Sequence, residues 1–384
     1  MITKILFIFH EDTRTGAPNA LLSFLNYINE NHQKEFIIDI FVLRSIASEI
    51  EPDLKKIARN FYTKRKDKKI KTKIINIFKP ISLQLFALQK AHNYDIVYGN
   101  TILTLKYLSK LKQQCKTVKT ILHVHEGNYL TSLFLNKNRA TKEFQNIDHV
   151  ITVTQTASNN LEQNYGVIAS KIAIISPAIE QNEYSEIDSN LLKEYSNNDL
   201  ILVNLGQPSL TKGTDLIPQI ANYLRAKNPN LKFKILIIGI TSDNDFVKAL
   251  KLDIDKLELN SYIELISHTK TPLAYLNFSN ACLITSREES FSLVGVQAVM
   301  LNKPLVLFKN AIGLSEIVTE QATFTANYLD TYDFADKILE LYNFPETLHQ
   351  KTSLSKQIYA EKLAPSICNK KHYLKLKDFV NQIE

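Results

Sequence analysis

An acid, a glutamine and two free amide groups are spaced so that one ligand could be gripped by all of them. Glu288 and Glu289 lie in a polar loop between the apolar, strand-like run 281–285 and the helix-compatible residues 293–301. Asn302 and Pro304 stop that helix, and residues 305–308 form the next buried run. Such a strand-to-helix loop lies at the carboxyl edge of a parallel sheet, where open α/β sheets bind ligands. The amides at Ser292 and Leu293 and the positive end of the helix dipole suit an anion such as a diphosphate. Gln297 follows Leu293 by one helical turn and leans back toward the loop mouth that holds Glu289. The plainer reading of the two acids is favourable charge at a helix start, on the order of 0.5 kcal/mol each.

A second set of candidates comes earlier. The apolar run 200–205 ends at Gly206 and Gln207, and Lys212 and Gly213 follow where a helix begins. A lysine there is a point charge for a diphosphate, and the glycine lets the backbone come close. The alternative is a surface lysine beside a turn glycine. His125 ends a strand beside Gly127, with His123 two residues earlier on the same face. No further Cys or acid completes a metal set around them, and a core or strand-end histidine is the competing reading. Asp243 with Asp245, and Asp253 with Asp255, fall beside or within expected surface helices, so no metal ligation is expected of them. No Gly-x-Ser-x-Gly, Walker loop or Cys-x-x-Cys pattern occurs.

Residues 289–297 resemble the signature of retaining family-4 glycosyltransferases. Glu289, Ser290, Phe291, Ser292, Leu293 and Val294 match it, and Gln297 stands where the family has a second Glu, usually assigned to the nucleotide ribose. Thr15-Gly16-Ala17-Pro18 resembles the first loop of a subgroup of that family, where it closes over donor phosphate and acceptor. The family also places an Arg after the first glycine of the second half and a Lys six positions after that glycine, jointly holding the diphosphate. Lys212 fits the second position, and Gln207 occupies the first.

The resemblance covers nearly the whole chain. It implies the GT-B fold: α/β, two Rossmann-like doubly wound parallel-sheet domains with an interdomain cleft. It further implies sugar transfer with retention, in which the leaving diphosphate takes the acceptor proton on the same face. Lys212 and the amides at Ser292-Leu293 and Gly313-Leu314 would hold the diphosphate, Glu289 the donor sugar hydroxyls and Gln297 the ribose. Gly16, His10 and Asn100 would form the acceptor side, and His125 would lie near the transferred sugar. No cofactor and no metal are expected; a UDP- or GDP-linked sugar is the substrate. The acceptor would be a glycan or a lipid-linked molecule, as in bacterial surface polysaccharide or glycoconjugate synthesis. Gln207 and Gln297 both remove donor-side charge, which keeps open a silent sugar-binding or partner subunit. A nucleotide-sugar epimerase on the same fold is the other alternative.

Composition sets the frame for these sites. With 384 residues and 45% apolar content, two to three domains with real cores are expected. The formal charge is +7, but residues 64–73 hold seven bases and one acid, which leaves +1 for the remainder. One basic segment is a poor footprint for nucleic acid. A solvated helix end explains it, as does attraction of the Lys64–Lys73 bases to anionic lipid at about 1 kcal/mol per base. Cys115, Cys282 and Cys368 are odd in number and far apart, which fits a reducing compartment. The apolar run 5–9 is too short for a signal segment or a span. The expectation is a cytoplasmic protein, any membrane contact being peripheral.

The positioning elements alternate. Strands are expected at 5–9, 36–43, 74–77, 95–98, 117–124, 148–153 and 171–175, with helices at 19–28, 46–62, 82–91, 103–112 and 156–164 between them. The polar stretch 180–199 then reads as a linker, so that a first domain covers 1–178 and a second 179–365. The second half restarts with strands at 200–205, 233–238, 263–266, 281–285 and 305–308. Between them fall helices at 215–227, 245–257, 272–277 and 293–301, and helices near 331–343, 347–362 and 366–383 follow. In the family the last helix returns to the first domain. Alternation on this scale gives parallel sheets with right-handed crossovers.

Overall fold

A computed structural model describes residues 2–63, 91–180, 193 and 195–382. The basic run 64–73, the strand expected at 74–77, nearly all of the helix at 82–91 and most of the linker lie outside the described residues. The chain divides into one unit of Met1–Glu180 with Ala364–Glu384, and a second of Gln181–Leu363.

In the first unit the strands are β1 (Thr3–Glu11), β2 (Phe36–Arg44), β3 (Asn60–Thr63), β4 (Ile96–Asn100), β5 (Lys119–Val124), β6 (His149–Thr152) and β7 (Ile172–Ile174). They pair in the order β3-β2-β1-β4-β5-β6-β7, every pair parallel. Alternate side chains of β1 serve opposite faces, as the pleat requires. Leu6 and Ile8 join one core with Val97, Leu122 and Val150. Ile5, Phe7 and Phe9 join the other, which also takes Leu376 and Phe379 from the helix Pro365–Asn381. That last helix is tied down by Lys377 and Tyr373, which reach the Glu35 carboxylate at 2.8 Å and 2.9 Å.

The second unit repeats the plan with β8 (Leu200–Leu205), β9 (Phe233–Ile240), β10 (Ile263–Ser267), β11 (Ala281–Ile284), β12 (Leu305–Phe308) and β13 (Phe324–Ala326). Their order is β10-β9-β8-β11-β12-β13, again all parallel. Strand order reverses between β1 and β4 in one sheet and between β8 and β11 in the other. Crevices at the carboxyl ends of such reversal points are where open sheets take ligands. Among the described residues no helix is long and apolar enough to cross a membrane.

Three stretches differ from expectation. Residues 46–62 are helical only over Glu51–Ile57, and Asn60–Thr63 becomes the edge strand β3. The cause is Asp39, buried in β2, whose carboxylate accepts from Arg59, Asn60 and Tyr94 at 2.6–3.2 Å and draws the chain alongside. Strand β13 is too short to show a period. The helices Asn128–Phe134 and Lys137–Gln145 fill a stretch to which no element was assigned.

Candidate functional site

The carboxyl ends of β8 and β11 carry a charged cluster. Gly206 turns out of β8 with φ 128° and leads to Gln207 and, further on, Lys212. Gly213 is left-handed, φ 60°, and a Cβ there would lie 1.9 Å from the Thr285 carbonyl oxygen. Only glycine lets the two loops meet this closely. The Thr285 hydroxyl donates to the Lys212 carbonyl at 3.0 Å and closes the same contact. As a result Lys212 Nζ sits 3.0 Å from Glu289 Oε2, with the lysine side chain 34% exposed. Ser286 donates to the other carboxylate oxygen of Glu289. Arg287 makes a two-pronged bond to Asp215, 2.8 Å for each prong, and its Nη1 reaches the Leu210 carbonyl at 2.6 Å. The Lys212 loop is therefore pinned to the Glu289 loop at both ends.

Beyond Glu289 the chain enters the helix Leu293–Met300 through a strained residue. Ser292 has φ 83° and ψ 85°, and its hydroxyl accepts from the Gly295 amide at 3.4 Å. A non-glycine residue held there costs on the order of 1–3 kcal/mol, and such strain collects at ligand clamps. The first amides of the helix, at Leu293 and Val294, precede the reach of any intrahelical acceptor. Phe291 is buried beneath the loop, and Ser290 is half-buried above it. Gln297 is half-buried one turn along the helix, its side chain bonded to none of the described residues.

One expectation for this cluster is corrected. The amides of Gly313 and Leu314 do not point to a ligand: they donate to the carbonyls of Glu289 at 3.0 Å and Phe291 at 2.8 Å. An isolated parallel bridge between Glu289 and Ile312 takes up the Gly313 amide, and the Leu314 amide closes on Phe291 just beyond it. Gln207 is engaged by a neighbouring loop. Its Oε1 accepts from the Thr241 hydroxyl at 2.6 Å and the Thr241 amide at 3.2 Å, leaving only the amide nitrogen to serve a ligand. Of the four acids at 243, 245, 253 and 255, Asp243 pairs with Lys251 at 2.8 Å and Asp255 accepts from Asn260 at 2.9 Å.

The first unit carries a cluster of a different kind at the ends of β1, β4 and β5. His125 Nε2 is 2.8 Å from Asn100 Oδ1, while Asn100 Nδ2 donates to the Ala17 carbonyl at 3.1 Å, just past Gly16. Gly16 itself starts the helix Gly16–Asn31, three residues earlier than its period suggested. Thr13 and Thr15 both donate to Glu11 Oε1, at 2.7 Å and 3.2 Å, and so shape this loop. His10 Nδ1 is buried with no partner among the described residues, and the same holds for the Thr101 hydroxyl and His123 Nε2. Thr101 has φ 78° and ψ 156°, a region that glycine alone visits freely.

Burial disfavours charge throughout this cluster. It lowers His125 and His372 to about 3, helped in His125 by His10 and in His372 by His125. His123 is pushed down in the same way, and Glu126 is raised to about 7 by burial even though it accepts the Ile102 and His125 amides. Tyr98 ties the group together, its hydroxyl 2.8 Å from His123 Nδ1 and 2.9 Å from His372 Nε2. His372 also stacks on Phe24 with centroids 3.6 Å apart. Glu126, Thr101, Tyr98 and His372 had no signal in the sequence beyond their nearness to His125 or to a strand end.

Comparison with known proteins follows the same division. The model for glycosyl transferases group 1 matches residues 190–357, and that for glycosyltransferase family 4 matches residues 38–183. The chain is 26% identical over 259 residues to an uncharacterized glycosyltransferase of Methanocaldococcus jannaschii, covering 64% of this chain and 60% of that protein. It is 24% identical over 168 residues to the capsular polysaccharide biosynthesis glycosyltransferase CapM of Staphylococcus aureus, covering 42% and 43%. The match thus spans less than two thirds of the length of these curated relatives. The crystal structure of Anabaena HepE in complex with UDP and glucose has a TM-score of 0.79 and 17% identity, covering 98% of this chain and 100% of that one. That likeness concerns the fold, two parallel-sheet α/β domains of the GT-B type.

Proposed function

We propose that this chain is a glycosyltransferase that moves a sugar from a nucleotide-sugar donor to a glycan or lipid-linked acceptor with retention at the anomeric carbon. The observation that carries the reading is the Lys212–Glu289 pair, 3.0 Å apart at a strand-order reversal and next to the strained entry of a helix. The UDP and glucose named for the Anabaena neighbour and the polysaccharide role named for CapM support it.

In this reading the two groups divide one ligand. The Lys212 ammonium and the amides at the start of the Leu293–Met300 helix face the diphosphate, where charge grows as the sugar leaves. Preorganised donors at such a position act in the transition state more than in the ground state. Glu289 accepts hydrogen bonds from sugar hydroxyls, held in aim by Ser286 and Lys212. The carbon–oxygen bond to the diphosphate breaks, the acceptor oxygen bonds to the same face, and a diphosphate oxygen takes its proton. Gln297 lies one turn deeper for the ribose, as a neutral donor and acceptor. His125, Asn100 and His10 receive the acceptor as uncharged polar groups. The step uses no metal, neutralisation being left to Lys212 and the amides.

A thermal-shift series with UDP- and GDP-linked sugars, followed by donor turnover with and without Glu289→Gln, tests this. Stabilisation by one nucleotide family and loss of turnover in the variant are expected; no shift with any nucleotide-sugar would sink the reading. The bond from Thr241 that occupies Gln207 favours one rival, a sugar-binding subunit without turnover. Nucleotide binding with equal and negligible turnover in both proteins would decide for it.

A further inference from the structure

The crossover from β12 to β13 is made of two short turns, Gly313–Glu316 and Glu320–Ala322, where the other crossovers of this sheet use α-helices. Turns of three or four residues cannot blanket a sheet face. A recess of about 340 Å³ stays open between them and β13. That is the small end of the range for ligand pockets, about 300–1,000 Å³. Every described residue that lines it is polar. Ligand pockets are mostly apolar with a few polar groups, so this one is built for a different guest.

The walls say what that guest is. Ser315 supplies an Oγ that is buried and without a partner among the described residues. A buried hydroxyl left unpaired is costly, and it calls for water or a ligand. The Thr323 hydroxyl donates to the Thr319 carbonyl at 3.2 Å, so the Thr325 hydroxyl, 2.7 Å away, must donate to Thr323. Thr325 is left as an acceptor. At the rim Lys309 Nζ meets Glu320 Oε1 at 3.0 Å, each side chain more than half exposed. The recess therefore mixes donors and acceptors around a balanced pair of charges. A lipid tail or a nucleobase would lay apolar surface on hydroxyls. A free phosphate would meet a lysine already paired with Glu320, and a divalent cation would find a single carboxylate. A neutral polyol, whose hydroxyls each donate and accept, answers all of these groups.

We propose that this recess is a second sugar site, which takes one neutral sugar ring apart from the donor cluster. Ring hydroxyls donate to Glu320 and Thr325, accept from Lys309 and reach the Ser315 hydroxyl. The ring comes as a free monosaccharide or as one unit of a glycan chain. Lys212, Glu289, Ser292 and Gln297 take no part in the lining, so the site is independent of the donor reading.

Saturation-transfer NMR on the full chain tests it, with glucose, galactose, mannose and N-acetylglucosamine as free sugars, as methyl glycosides and as short oligosaccharides. Transfer to the ring protons of at least one sugar is expected, and it should persist with UDP present. Transfer to a free sugar but not to its glycoside supports the proposal with a monosaccharide ligand. Transfer concentrated on one unit of an oligosaccharide supports it with a glycan. Ser315→Ala should weaken binding by about 5- to 10-fold, and Glu320→Gln by at least as much. The Ser315 hydroxyl bonds nothing in the protein, so the alanine variant should keep the parent's melting temperature and UDP binding. No transfer to any sugar overturns the proposal, as does transfer of full strength in both variants. Transfer abolished by Glu289→Gln but kept in Ser315→Ala puts the sugar in the donor cluster and overturns it equally. Shifts in the protein spectrum with inorganic phosphate and none with sugars would make this an anion site, again overturning it. Failure of UDP binding beside sugar binding that depends on Ser315 would count against the donor reading, not against this recess.

Discussion

The two clusters at the strand-order reversals are built on opposite electrostatic plans. In the second unit Lys212 meets Glu289 and Arg287 meets Asp215, all four side chains keeping some access to water. In the first unit His10, His123, His125 and His372 are all held neutral by burial, and Glu126 is pushed toward its protonated form. Charge left in partial contact with solvent can be handed to a charged ligand at modest desolvation cost. Imidazoles kept neutral can orient hydroxyls without competing for the negative end of that ligand. The difference is what the proposed division between a diphosphate-bearing donor and a hydroxyl-bearing acceptor requires.

The sharpest way to break that contrast is to remove its charged member. Lys212→Ala should lower sugar transfer by about 10²–10³-fold, the range for deleting one donor aimed at developing negative charge. Steady-state kinetics checks this, with a loss in turnover larger than the loss in nucleotide binding. An equal loss in both would make Lys212 a ground-state anchor only. Gly213→Ala tests the scaffold beneath it. The 1.9 Å approach to the Thr285 carbonyl and the positive φ both oppose a methyl group, so the second unit should lose about 3 kcal/mol. Thermal unfolding reads this directly, and a melting temperature within a degree of the parent would show that the two loops do not need to touch.

Acid should expose the neutral plan of the first unit. His125 and His372 have folded values of about 3, below the usual 6.5, so each binds a proton more readily when unfolded. Their contribution is complete above 6.5 and is lost as pH falls toward 3, at about 1.4 kcal/mol per pH unit for each ring. Glu126 works in the opposite sense: raised to about 7 from 4.5, it stabilises below 4.5 and loses that stabilisation as pH rises to 7. Between 4.5 and 6.5 it offsets one histidine, so Glu126→Gln should steepen the acid limb of a denaturation series there. An unchanged slope would mean that Glu126 is ionised in the fold.

How far these features were legible depended on distance along the chain. Lys212, Gly213 and Glu289 could be read because each follows an apolar run that must end at the same sheet edge. The bond from Tyr98 to His372 spans 274 positions, and no local pattern announces it. The amides of Gly313 and Leu314 looked available because a bridge between Glu289 and Ile312 is a tertiary event. The helix Asn128–Phe134 escaped for another reason: its apolar residues face out, so a reading that turns such residues inward has nowhere to put it. The fold was open to inspection because strand–helix alternation is a property of neighbours, whereas the neutral cluster is a property of what folds over it.

The smallest effect expected is also the one that tests whether the proposed donor cluster is short of charge. Gln207 stands beside Gly206 with its oxygen committed to Thr241. Gln207→Arg would lose that acceptor, since a guanidinium only donates. Thr241 lies at an exposed loop, so water replaces the bond and stability should change by about 0.5 kcal/mol at most. In return a second cation joins Lys212 at the loop mouth, worth roughly a 3- to 10-fold gain in UDP affinity for a partly exposed charge. Calorimetric titration at two salt concentrations separates the outcomes. Tighter binding that weakens with salt means the cluster accepts added charge, and the neutral glutamine sets a lower affinity than the fold permits. Weaker binding at both salts means the Thr241 bond aligns the loop, so that Gln207 belongs to the shape of the site and not to its charge.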